Sequence, residues 1–162
     1  LDLRPYKIIH LATHGEISGA ISGIDEPFLV LSPPDGSSKE DGLLKMSEIM
    51  SLDTNASLVV LSACNTAAGD EVGSGGFSGL AKSFFMSGSK SVLVSNWYVE
   101  TYSAKDLVIN LFKNLKDNPN SSISNNLNMT MLNMLENDKD RSHPMFWAPF
   151  VLVGQNNNFS YK

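Results

Sequence analysis

The sequence predicts an α/β domain built on a mostly parallel sheet, and three observations predict it. Short apolar runs alternate with segments whose apolar residues recur at helical spacing. One run, Ser57-Leu58-Val59-Val60-Leu61-Ser62, is almost unbroken, which suits a strand covered on both faces by helices. Polar clusters follow three of the runs: Thr13-His14-Gly15, Ala63-Cys64-Asn65 and Asn96-Trp97. In open α/β sheets ligands bind beyond the carboxyl ends of strands, so neighbouring strands would gather these clusters along one edge.

The elements follow in order. Tyr6 to Ala12 reads as a strand that stops in a tight turn at Thr13-His14-Gly15. Residues 16 to 27, with two Gly, Asp, Ser and Pro, read as a surface loop. Phe28-Leu29-Val30-Leu31 and Leu43-Leu44 flank Pro33-Pro34-Asp35-Gly36, the pattern of a small hairpin with a long tip. Lys45 to Leu52 fits one short helix, and 57–62 the buried strand. A Gly-rich loop runs from Gly69 to Gly76. Phe77, Leu80, Ala81, Phe84 and Phe85 then mark a helix near 77–87, stopped by Gly88. Ser91-Val92-Leu93-Val94-Ser95 is the next strand. Leu107, Val108, Leu111, Phe112 and Leu115 mark a helix near 102–116; Ile123, Leu127, Met131, Met134 and Leu135 mark one near 121–136. Phe150-Val151-Leu152-Val153 is a last strand closed by Gly154. The domain is expected over 1–155, with the Asn-rich tail, 156–162, frayed.

Bulk properties remove several function classes. The 162 residues suffice for one domain with a core. A net charge of −5 disfavours nucleic acid as a partner. With one cysteine no intramolecular disulfide can form, and nothing calls for an oxidising compartment, so a cytoplasmic location is expected. No apolar run approaches the roughly 20 residues that cross a bilayer, so no membrane association is expected. No signal peptide is evident, and Leu1 is not an initiator Met, so the sequence reads as a piece of a longer protein.

Cys64 and His14 carry the sharpest chemistry. A thiol becomes a strong nucleophile as its thiolate, which needs a base or cation nearby, and histidine titrates near operating pH. Each residue follows a predicted strand. Gly15, without a Cβ, leaves its N–H open to a developing oxyanion, and the Cys64 N–H is the second donor. The competing reading is a buried, inert cysteine, the commoner fate of that residue type. His10 lies inside its apolar run and reads as a strand histidine. No metal is expected: HExxH is absent, and one Cys with three His gives no zinc-ligand spacing. No nucleotide or other cofactor is expected either. GxxxxGK[ST] is absent, and Gly73, Gly75 and Ser78 miss GxGxxG at its last glycine.

At His10-Leu11-Ala12-Thr13-His14-Gly15 and Val59-Val60-Leu61-Ser62-Ala63-Cys64-Asn65-Thr66-Ala67 the sequence resembles the CHAT family, relatives of caspases and separase. The resemblance continues through Gly79-Leu80-Ala81-Lys82-Ser83-Phe84, Ser91 to Trp97 and His143 to Gly154, so it covers nearly the whole chain. It implies a three-layer caspase–hemoglobinase-like fold with an antiparallel last strand, beginning here at the third strand, and thiol-dependent peptide hydrolysis. Carried over by position, the catalytic pair falls on His14 and Cys64. The chain departs from the family pattern at Asn96, at Glu100-Thr101 and at Ser74-Gly75-Gly76.

Related enzymes build part of the substrate pocket after the third of these strands, which maps to Asn96, Trp97 and Glu100. Glu100 carries the charge of that segment and has two readings: the base of a pocket for Lys or Arg, or the start of the next helix, where a carboxylate meets the dipole. Asp70 and Glu71 are rival sources of charge. The expected function is a cysteine endopeptidase acting on a protein or peptide, after basic residues; the alternative is a catalytically silent interaction or scaffold module. Expected partners besides substrate are the earlier part of the same domain and helical-repeat regions.

Overall fold

Leu58-Val59-Val60-Leu61 form strand β5, and all four side chains are buried. The residues alternate between two cores, because successive strand side chains point to opposite faces. Leu58 and Val60 pack with Leu107, Leu111 and Leu115 of helix α3 (Thr101–Asp117) and with Ile123, Leu127 and Met134 of helix α4 (Ile123–Asn137). Val59 and Leu61 pack with Ile49 of helix α1 (Met46–Met50) and with Leu80, Ala81 and Phe84 of helix α2 (Gly79–Met86). The result is helix, sheet, helix: three layers around a strand buried on both faces, as the unbroken run requires.

The computed structural model describes residues 2–32, 41–62 and 79–158. Its main sheet has the order β1-β5-β6-β7, with β1 at Ile8–Leu11, β6 at Ser91–Ser95 and β7 at Phe150–Gly154. The first three strands are parallel, with Ile9 opposite Val59 and Val60 opposite Leu93; β7 runs antiparallel, with Ser95 opposite Phe150. This is the α/β class expected, with its antiparallel last strand. Among the described residues no helix is long and apolar enough to cross a membrane.

Three features depart from the sequence reading. The hairpin of β3 (Phe28–Val30) and β4 (Leu43–Lys45) forms, but it gains a third strand and becomes a separate antiparallel sheet, β2-β3-β4. That strand, β2, is His14–Glu16, so His14 does not sit in a turn. It opens a second strand directly after Ala12 and Thr13, the two residues by which the chain leaves the first sheet. The third departure is at the tail, where fraying was expected. The Asn157 carbonyl accepts from the Ile123 N–H at 3.2 Å, and Asn156 Oδ1 accepts from the Ser124 hydroxyl at 2.7 Å. The tail is thus tied, as far as Asn158, to the start of α4.

Local signals fix the helix ends. At α2 the Gly88 N–H donates to the Phe85 carbonyl and the Ser89 N–H to the Phe84 carbonyl, each at 3.0 Å. This is a Schellman stop, and it needs a left-handed residue. Gly88 has φ +103°, and a Cβ there would collide with the Thr54 carbonyl. Ser122 caps α4 by accepting from the Asn125 N–H at 3.2 Å.

Candidate active site

Because β1, β5 and β6 are parallel and adjacent, their carboxyl ends share one edge. Leu11 is opposite Leu61, and the Ser62 N–H donates to the Leu11 carbonyl at 3.1 Å, extending the ladder by one bond. His14 lies three residues beyond Leu11, and Cys64 three residues beyond Leu61 (14 − 11 = 64 − 61). The two segments end their strands as neighbours, and each of the two residues follows three positions later in sequence.

His14 is exposed and stands opposite Val30. It is held from the residue before it, since the Thr13 hydroxyl donates to the Val30 carbonyl. Gly15 stands opposite Leu29, whose side chain is fully buried in the α1–α2 core. The small sheet therefore anchors His14-Gly15 to the body of the domain through β3. Cys64 lies in 63–78, outside the described residues, together with Asp70, Glu71 and Ser74-Gly75-Gly76.

At the end of β6, the Asn96 N–H donates to the Pro149 carbonyl at 3.0 Å, which continues the β6–β7 ladder and leaves the Asn96 side chain exposed. The Trp97 indole N–H points to the Met145 carbonyl at 3.4 Å, and 44% of the residue's surface is open. Tyr98 and Tyr102 nearby in sequence are also exposed, with the Lys105 ammonium 5.4 Å from the Tyr102 ring centre. The chain thus follows β6 with an aromatic surface that periodicity alone does not reveal.

Of the two roles open to Glu100, the helix cap is present. Its carboxylate accepts from the Tyr102 N–H, the Ser103 N–H and the Ser103 hydroxyl, each at 2.8 Å. The Tyr102 N–H, and after it the Ser103 donors and the charge of Arg141, hold its pKa below the ordinary glutamate value against the opposing effect of desolvation. Arg141 is bound to Asp106 of α3.

Sequence reading missed one pairing at this edge. His10 Nε2 lies 2.8 Å from the Ser62 hydroxyl, and its ring meets Phe112 of α3 edge-on, 5.7 Å between centroids. His10 keeps part of its surface open, yet burial of the rest lowers its pKa below the ordinary histidine value. The pairing depends on strand register, which has no signature in composition. Among the described residues no three His, Cys, Asp or Glu side chains are placed to hold a metal ion.

The family model of the CHAT domain matches residues 1–155. Tetratricopeptide repeat protein 28 of Mus musculus is 32% identical over 112 residues, which are 69% of this chain and 4% of that protein. The chain therefore spans a small fraction of the length of the curated relative it matches. The match over almost the whole chain agrees with the three-layer architecture and the antiparallel last strand of the sheet. The chain belongs to the CHAT domain family, which is related to the caspase-like cysteine peptidases.

Proposed function

We propose that the chain is a thiol-dependent endopeptidase module in which Cys64 is the nucleophile and His14 its base. The observation that carries this reading is the shared departure point: both residues lie three positions beyond a register-paired residue of adjacent parallel strands. In the proposed reaction His14 takes the thiol proton and the thiolate attacks the peptide carbonyl. The N–H groups of Gly15 and Cys64 stabilise the oxyanion. His14 then returns the proton to the leaving amine, and a water, deprotonated by the same ring, hydrolyses the thioester.

The substrate lies along Asn96, Trp97 and Glu100 in this proposal. A carboxylate offers about four lone-pair sites, and three donors already occupy Glu100. One site remains for a basic side chain, so Glu100 supports a preference for Lys or Arg more weakly than an uncommitted carboxylate would. The exposed face of Trp97 suits the apolar stem of such a side chain. The name of the mouse relative suggests that helical repeats accompany the module as partners.

Cleavage of a peptide library is the test. Cys64→Ala and His14→Ala are each expected to abolish turnover while the circular dichroism spectrum stays that of the parent. Full activity in Cys64→Ala would remove the nucleophile assignment. A chain that cleaves nothing, and whose thiol reacts no faster than free cysteine, would be the silent interaction module instead.

A further inference from the structure

We propose that His10 and Ser62 form a positioning pair that sets the separation of the two strand ends leading to His14 and Cys64; this rests on the proposed dyad. The chain changes sheets between Leu11 and His14. Thr13 ties the far side of that crossing to β3 through the Val30 carbonyl. The His10–Ser62 contact ties the near side to β5. It lies four residues before His14 and two before Cys64, so it acts on both arms at once (14 − 10 and 64 − 62).

The pair is a constructed contact. His10 and Ser62 both face the α3 side of the sheet: His10 lies two residues along from Ile8, and Ser62 two along from Val60, the register partner of His10, with Ile8 and Val60 packed into that same core. Phe112 holds the ring edge-on. The ring can either donate from Nε2 or accept there, and a serine hydroxyl complements both tautomers, so the contact is kept in each. Its backbone companion, Ser62 N–H to Leu11 carbonyl, is the last ladder bond of the two strands among the described residues. The side-chain contact adds a second restraint beside that bond. A reacting pair displaced by about 1 Å loses up to about a hundredfold in rate, so this restraint is expected to show in thiol reactivity.

Cys64 is the single cysteine, so alkylation by iodoacetamide reports it alone. The rate is measured across the neutral pH range for the parent, Ser62→Ala, Ser62→Thr, His10→Phe and His14→Ala. Ser62→Ala and His10→Phe are expected to slow alkylation about tenfold and shift its pH midpoint upward, with Ser62→Thr within about twofold of the parent. A purely structural role would lower Tm and leave the pH midpoint in place, and that result overturns the proposal. Should Ser62→Ala not fold, His10→Phe, which keeps a ring against Phe112, decides alone. Parent rates in Ser62→Ala and His10→Phe, with His14→Ala slow, overturn the positioning role and leave the dyad standing. A parent rate in His14→Ala removes the dyad itself, and the positioning role with it.

Discussion

Glu100 had two readings, pocket charge and helix start, and the hydrogen bonds of the second are present. Its position just after β6 suits a specificity pocket, but its carboxylate closes the first turn of α3. Because its pKa is lowered on folding, it stabilises the fold while ionised, and that contribution is lost as pH falls through the folded value. Glu100→Gln is therefore expected to lower Tm at neutral pH, and the gap to the parent should close in acid below the ordinary carboxylate range. A gap that stays constant with pH would mean that the charge is not what caps the helix. The same variant tested on the peptide library reports any basic preference separately from stability. His10 carries a related lesson. Its place within an apolar run correctly marks it as a strand residue, but its partner, Ser62, is 52 positions away and is found only once the register is known.

At the scale of elements, stops matter as much as runs. Gly88 ends α2 with φ +103° and leaves room only for hydrogen beside the Thr54 carbonyl. Gly88→Ala should cost about 2–4 kcal/mol, from left-handed strain together with the collision, read as a lower midpoint in urea with an unchanged slope. An unaffected midpoint would show that the turn relaxes freely. The long helices were legible because their apolar residues repeat through several turns; α3 runs Thr101–Asp117 against an expected 102–116. β5 was legible because it is covered on both faces. β2 was not, because His14-Gly15-Glu16 has no apolar residue and no length from which to read a period. It is a strand because the β3 edge lies beside it and because Thr13 holds it there, both of them tertiary facts. The shared edge of β1 and β5 was legible from the apolar runs that end there, and the second sheet that carries His14 was not.

Across the whole molecule, β5 and β6 lie between two helical layers and have a strand on each side, whereas β1 has one strand neighbour among the described residues. Hydrogen exchange should reflect that difference. Amides of β5 and β6 are expected to exchange slowest, through global opening, and those of β1 and β2 faster, through local opening. Equal protection of β1 and β6 would mean that the outer edge of β1 is covered. The expected ranking places the most stable strands behind the proposed site and the more labile ones, β1 and β2, on the side that carries His14.

The reversed direction of β7 has a consequence for how such a module is carried. Parallel strands begin where the reversed one finishes, so the segments entering β1 and leaving β7 lie at the same pole. Lys7 bonds Ser57 there, and Lys90 bonds Gln155. That pole is the one away from His14. Both connections emerge at the pole opposite the proposed site, so a segment attached at either would leave that edge clear.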